Sequence, residues 1–220
     1  HNDLIKINDK NKFIKKIIKA GYLYFDYLNK NISNNYEMNT VLIAPSWSKH
    51  YKNYINESFD EVIEYLLIKN YKVIFRPHPE HLKRSKDFLN LLKKKYLSKN
   101  FKFDEEISTI NAFNSSSILV TDFSGAALEF TFSCKRPSIY IKQESFKHSN
   151  QLEINYLEEE FKKNFCYTLN LKEFFRNFEN IHSKNDLNKI ELSNFAREKF
   201  FNYEKNISKL IALEIKDVLK

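Results

Sequence analysis

Glycine is nearly missing from this chain. Only Gly21 and Gly125 occur in 220 residues, beside four prolines, two cysteines, one methionine and one tryptophan. The stretch Asp122-Phe-Ser-Gly-Ala126 lacks the first glycine of the G-x-S-x-G turn. A serine-hydrolase nucleophile elbow is thereby disfavoured. Cys134 and Cys166 stand apart without metal-ligand spacing, which reads as free buried thiols in a reducing compartment. No apolar run reaches the roughly 18 residues of a membrane span, and no secretion-signal pattern is present. We also find no internal repeat and no low-complexity linker. His1 in place of an initiating methionine suggests a trimmed or partial chain. Lys, Asn, Ile, Phe and Tyr fill the space left by Gly and Pro, the signature of a codon-composition bias. Sequons such as Asn114-Ser-Ser116 follow from the same bias.

What is present is enough for a globular domain. Hydrophobic residues make up 42% and aromatics 15%, so a chain of this length buries a real core. The formal net charge is +8, and it is concentrated. Between His81 and Lys102 lie eight Lys/Arg against one acid, Asp87. With Leu82, Phe88, Leu89, Leu91, Leu92 and Tyr96 interleaved, residues 81–102 read as an amphipathic helix with a basic face. That face is either a solvated surface or an attachment to an anionic membrane or polymer. Nucleic acid is not expected, because no groove-reading motif accompanies the charge.

Short β-branched runs alternate with helical patterns. Thr40–Ala44, Lys72–Phe75, Phe101–Phe103, Ser117–Thr121, Pro137–Ile141 and Phe165–Leu169 read as strands. Helices are expected over Asn11–Asn31 (interrupted at Gly21), Asn56–Lys69, Ile107–Asn114, Leu171–Phe178 and much of Asp186–Leu219. This order predicts an α/β fold, a Rossmann-like parallel sheet with helices on both faces and a helical C-terminal tail. The expected organisation is a helical lead-in over 1–36, a nucleotide-binding domain over 37–170, and C-terminal helices over 171–220 packing on it.

In such a sheet the ligand site lies beyond the carboxyl ends of the strands. Three polar clusters fall there: Pro45-Ser-Trp-Ser48, Arg76-Pro-His-Pro-Glu-His81 and Thr121-Asp-Phe-Ser-Gly125. Ser124, Gly125 and Ala126 open a helix whose free N–H groups and partial positive charge suit a phosphate. Ser124 also suits an ordinary N-cap. His78, stiffened between two prolines, can hydrogen-bond a leaving phosphate oxygen or act as a general acid. It can equally be a loop histidine bonded to backbone. Arg76 beside it suits a di- or triphosphate. Glu129, one turn into the helix, can take ribose hydroxyls or simply face solvent. Trp47 lines the cleft or packs its loop. His78 and His81 have H-x-x-H spacing without a third ligand, so no metal and no cofactor are expected.

Ala44-Pro-Ser-Trp47, Arg76-Pro-His-Pro79, Val120-Thr-Asp-Phe-Ser-Gly-Ala-Ala-Leu-Glu-Phe130, Lys135-Arg-Pro137 and Ile139-Tyr140 occur in one order. Taken together they resemble the C-terminal half of the CDP-glycerol glycerophosphotransferase family, polymerases and primases of teichoic-acid-like chains. Ala20-Gly-Tyr-Leu-Tyr-Phe-Asp26 is similar to the segment leading into that half. The resemblance implies the nucleotide-binding C-terminal domain of a GT-B glycosyltransferase fold, with the N-terminal domain outside this chain. It implies a catalytic role for His78 at the donor pyrophosphate. Arg76, Ser124, Gly125, Ala126, Glu129, Ser46, Trp47 and Asp122 would then hold the nucleotide. Where the family more often has Thr-Asp-Tyr-Ser-Ser, this chain has Ser124-Gly125. That variant, with Glu129, is closer to GT-B sugar transferases and UDP-N-acetylglucosamine 2-epimerases. The implied partners are a nucleotide-activated donor and a polymer acceptor of a cell-surface or capsular chain. The implied location is the cytoplasm, with residues 81–102 against the inner face of the membrane. A nucleotide-binding module without catalysis and a basic interaction domain are the rival classes.

Overall fold

The computed structural model describes residues 21–47, 57–96, 99–122, 124–142, 156–184, 187–200 and 206–218. The expected helix over residues 11–20 lies outside them, as do Ser48 and Phe123. The chain forms two compact units, Ile32–Leu192 and the pair His1–Asn31 with Ser193–Lys220. The units meet in sequence at Asn31/Ile32 and at Leu192/Ser193.

The larger unit is built on six strands: β1 (Glu37–Ile43), β2 (Lys72–Phe75), β3 (Phe101–Phe103), β4 (Ser116–Thr121), β5 (Ser138–Ile141) and β6 (Cys166–Leu169). Their order is β3-β2-β1-β4-β5-β6, and every pairing is parallel. The central strands β4 and β5 are buried along their whole length, which is why they read as unbroken apolar runs rather than alternating ones. Leu42 pairs with Ile74 on one side and Leu119 on the other.

One face of the sheet is formed by Val41, Ile43, Val73, Phe75, Ile118, Val120, Ile139 and Ile141. Three helices cover it: α2 (Glu57–Ile68), α4 (Lys86–Lys95) and α8 (Leu171–Lys184). Their buried residues recur at helical spacing, Phe59, Val62, Ile63 and Leu66 on α2 and Phe174, Phe178 and Ile181 on α8. Each buried Phe of this kind contributes about 1.5–3 kcal/mol. A reciprocal capping box starts α8, with Asn170 Oδ1 accepting from Glu173 N and Glu173 Oε2 from Asn170 N, both at 2.9 Å. Asn70, at φ 62°, ends the turn after α2 in the left-handed region that Asn tolerates.

The other face carries α5 (Ile110–Ser115), α6 (Ala126–Cys134) and α7 (Tyr156–Phe165), the last in a stretch where the sequence pattern is weak. Between α5 and α6 lies Arg136, 2% exposed. Its guanidinium donates to the carbonyls of Phe113 (2.9 Å), Cys134 (3.3 Å), Ser33 (3.4 Å) and Ser116. It also lies over the rings of Tyr36 (4.4 Å) and Phe130 (5.4 Å). Burial lowers its pKa, but the carbonyls closing α5 and α6 are the negative ends of helix dipoles and suit a cation.

Residues 81–102 are not the single helix that their apolar spacing predicts. They contain most of α3 (Pro79–Arg84), α4 and β3, with the break at Ser85. Pro79 at the first helical position fixes the start of α3 after β2, so the helical pattern begins before His81 and ends with one short turn.

In the smaller unit, Phe25 and Leu28 of α1 (Tyr24–Asn31) are buried, as are Ala196 and Ile207, and the Phe25 ring meets that of Phe200 edge-on at 5.3 Å. Asp26 accepts hydrogen bonds from Ile207 N (3.0 Å), Ser208 N (2.6 Å) and Ser208 Oγ (2.6 Å). Those amides open α10 (Ile207–Val218), so Asp26 supplies the negative charge its N-terminus favours. The unit also contains most of α9 (Lys189–Lys199), within which the boundary falls.

Candidate functional site

The strand order reverses between β1 and β4, whose carboxyl ends are tied together. Ala44 N donates to Val120 O at 3.0 Å, and Thr121 Oγ1 donates to Ala44 O at 2.7 Å. One residue on, Ser46 N donates to Asp122 Oδ1 at 2.7 Å. Ser46 O accepts at 2.8 Å from Nε2 of His81, which is buried on α3. The Ser46 residue is therefore gripped at both ends of its backbone, from β4 and from the segment after β2.

Trp47 follows, half-buried, with its ring parallel to that of His78 (6.3 Å between centroids, 17° between planes). The Arg84 guanidinium lies over the same indole at 5.5 Å. Glu80 connects the two, since its carboxylate binds Arg84 and Lys83, each at 2.9 Å, and its amide donates to His78 Nδ1 at 3.2 Å. The two cations hold the Glu80 carboxyl down at about 2, so it stays ionised.

That amide contact determines the chemistry of His78. Nδ1 serves as an acceptor, so the neutral ring carries its proton on Nε2. Burial lowers the pKa of His78 below the ordinary 6.5; the Glu80 charge works against this and Lys83 with it. His81 is lowered as well, through burial, although the Ser46 carbonyl opposes the shift. Both rings are thus biased towards the neutral form at pH 7, and His78 presents a single N–H donor.

The turn expected to hold phosphate lies at the start of α6. Ser124 Oγ accepts from Ala126 N at 3.2 Å, and Ser124 O accepts from Ala127 N at 3.3 Å and from the Tyr140 hydroxyl at 3.3 Å. Gly125 has φ −59° and ψ −18°, a helical conformation that any residue adopts. Apart from its chain neighbours and its own helix backbone, a Cβ added there meets nothing within 4 Å among the described residues. Neither backbone angles nor neighbours require this glycine, so the fold leaves open space beside the helix start. Glu129, half-buried, stands in the first turn of the same helix, its amide bonded to Gly125 O at 3.2 Å.

Arg76 has a different engagement from the phosphate contact expected of it. Nη1 binds Asp104 Oδ2 at 2.7 Å, and Nη2 binds the carbonyls of Glu106 (2.7 Å) and Ile107 (3.2 Å). It fastens the loop after β3 to the end of β2. Asp104, His81, Glu80 and Arg84 were not singled out as site residues from sequence. Asp104 follows β3 as Asp122 follows β4, and that positional echo was the available signal.

Both cysteines are free thiols. Burial pushes Cys134 up to about 12 and Cys166 well above its usual value, so neither is a nucleophile. Among the described residues no group of three or more His, Cys, Asp and Glu gathers as a metal site. No helix among them is long and apolar enough to cross a membrane. The basic segment is largely paired: Lys83 and Arg84 with Glu80, Lys93 with Glu105, Lys95 with Asp60 and Glu64, and Lys102 with Glu106.

Comparison with known proteins follows this geometry. The chain is 28% identical over 160 residues to the minor teichoic acid biosynthesis protein GgaB of Bacillus subtilis, 61% of this chain and 16% of that protein. A variant of the wall teichoic acid polymerase TagF superposes with a TM-score of 0.52 at 17% identity, covering 89% of this chain and 48% of that one. TagF soaked with CDPG gives 0.51 at 20% identity, over 90% and 47%. The UDP-GlcNAc 2-epimerase of Methanocaldococcus jannaschii gives 0.52 at 17% identity, over 97% and 60%. These superpositions show the fold, that of the C-terminal half of GT-B enzymes. This chain spans less than two thirds of each of these relatives. The sequence pattern of the family described as CDP-glycerol:poly(glycerophosphate) glycerophosphotransferase matches residues 16–211, nearly the whole chain, and the chain belongs to that family.

Proposed function

We propose that this chain is the donor-nucleotide half of a glycerophosphotransferase that extends a teichoic-acid-type surface polymer from CDP-glycerol. The observation that carries this is a histidine donor after β2 and an open helix start after β4, at the carboxyl ends of the two strands that flank β1. His78 offers an Nε2–H held in one tautomer, and Gly125 leaves room for an anion to approach backbone amides.

In this reading the pyrophosphate lies at Ser124, Gly125 and Ala126, and Glu129 takes the ribose hydroxyls. An acceptor hydroxyl attacks the phosphorus of the glycerol phosphate and loses its proton. The P–O bond to the cytidine phosphate breaks, and CMP departs with the bonding electron pair. Charge grows on the departing phosphate, and there a preformed N–H donor and a helix N-terminus stabilise the transition state more than the ground state. The neutral His78 ring acts as a hydrogen-bond donor to that oxygen. Arg76 acts indirectly, by holding the loop after β3, and Ser46 and Asp122 shape the cleft floor. No cofactor enters this reading. Among the described residues Lys86, Lys94 and Lys99 form no ion pair and would be the cations for an anionic surface, a smaller patch than the sequence count suggests.

The test is calorimetric titration with CDP-glycerol, CDP and UDP, followed by His78→Ala turnover in the longer enzyme. Binding of cytidine over uridine diphosphate and a turnover loss of roughly a hundredfold or more are expected. Preference for UDP moves the reading to a nucleotide-sugar enzyme. Full turnover by His78→Ala leaves a binding module only.

A further inference from the structure

His81 is buried three residues after the histidine that the proposed reaction uses, and it touches no open space. Its 2% exposure and its two neighbours define its state. Nε2 faces the Ser46 carbonyl, which only accepts, so the proton sits on Nε2. Nδ1 is then the acceptor for Ser85 Oγ at 3.4 Å. A buried histidine so satisfied is usually a core residue and nothing more.

Here its bond ends on the residue before the aromatic ring that stacks on His78. Asp122 holds the Ser46 amide and His81 holds the Ser46 carbonyl, so neither rotation of that peptide segment is free. Trp47 inherits this constraint, and its ring runs parallel to His78. The other end of the contact returns through the backbone of α3. His78 Nδ1 is bonded to Glu80 N, Glu80 binds Arg84, and Arg84 lies over Trp47. The circuit closes, and α3 contributes three of its members, Glu80, His81 and Arg84, with His78 as its N-cap.

We infer that His81 is a positioning residue. Acting through Ser46 and Trp47, it sets the ring plane of His78 and so the direction of its Nε2–H. The inference rests on the donor-site reading for its kinetic consequence, but one of its readouts does not.

The test compares His81→Ala with His81→Gln, whose side-chain amide can still donate to the Ser46 carbonyl. In the longer enzyme, His81→Ala should lower kcat on the order of tenfold to a hundredfold, as a misaimed group does, with KM for CDP-glycerol changed less than about threefold. His81→Gln should recover kcat to within about threefold. The second readout needs no turnover. Trp47 is the only tryptophan of this 220-residue chain, so its emission reports the stack alone. Emission should shift towards that of a solvated indole in His81→Ala and stay unshifted in His81→Gln.

If His81→Ala does not fold, Trp47→Leu breaks the circuit downstream and should show the same kcat loss. Wild-type kcat in His81→Ala or Trp47→Leu, or an equal loss in Ala and Gln variants, overturns the inference. A loss that merely follows the unfolded fraction overturns it too. If CDP-glycerol supports no turnover in any variant, the donor reading fails, and the emission contrast still decides the clamp.

Discussion

Replacing Gly125 by alanine separates what the fold needs from what a ligand needs. At φ −59° and ψ −18° the residue already has helical angles, and an added methyl meets nothing within 4 Å. Alanine there removes conformational freedom from the unfolded chain without strain, which stabilises by about 0.4–1 kcal/mol. For a chain of this size that corresponds to a Tm rise of about 1–4 °C. Binding should move the other way. In the proposed reading an anion approaches the helix start through the open space beside Gly125, and a Cβ holds it off. One charge-assisted hydrogen bond is worth about 1.5–3 kcal/mol, so Kd for CDP should rise roughly ten- to a hundredfold. Ser124→Ala is a comparison for stability alone, because the proposed site includes Ser124. Its Oγ caps Ala126 N, and losing that cap costs about 1 kcal/mol of stability. Thermal unfolding and calorimetric titration on the same preparations check both signs. A Gly125→Ala protein that melts earlier than wild type, or that binds CDP equally well, refutes the reasoning.

Two further outcomes follow from other parts of the molecule. Arg136→Met should destabilise by more than about 3 kcal/mol in urea unfolding, because it strands buried carbonyls of Phe113, Ser116 and Cys134; a loss under about 1 kcal/mol would sink this account. His78, His81 and His182 are all shifted below 6.5, each chiefly by burial. The folded state therefore keeps rings neutral that the unfolded chain protonates, so their contribution is complete above pH 6.5 and drains away as pH falls below it. The urea midpoint should drop between pH 7 and 5, and His81→Gln and His182→Gln should each flatten the slope. A midpoint constant across that range contradicts the assignment.

The sheet was legible because its signal is local. Val41-Leu-Ile43, Val73-Ile-Phe75 and Ile118-Leu-Val120 are short apolar runs stopped by polar or proline residues, and burial on both faces of a parallel sheet demands such runs. Helices α2 and α8 announced themselves through Phe59, Val62, Ile63 and Leu66, and through Phe174 and Phe178, at helical spacing. Helix α7 did not, because its buried residues Phe161 and Phe165 lie among Glu158, Glu159, Glu160, Lys162 and Lys163. Two of those charges, Glu158 and Lys162, are themselves nearly buried as a pair at 3.0 Å. Their partnership hides an inward face behind polar letters.

The strand ends that carry the candidate residues were legible, but the wiring of those residues was not, and charge shows why. A cation is read from sequence as available to a ligand, yet its availability depends on acids that fold next to it from elsewhere. Arg76 meets Asp104, 28 positions away, and Lys95 meets Asp60, 35 positions away. Neither partner lies in the motif that contains the cation. The same holds for His81. H-x-x-H spacing invites a metal, but its partner is the carbonyl of Ser46, again 35 positions away, brought there by the parallel pairing of β1 and β2. A carbonyl leaves no letter in the sequence. Pairing of adjacent strand ends is what converts a local histidine pair into two separate roles, one ring at the cleft and one beneath it. Residue types counted without strand order do not separate those two roles.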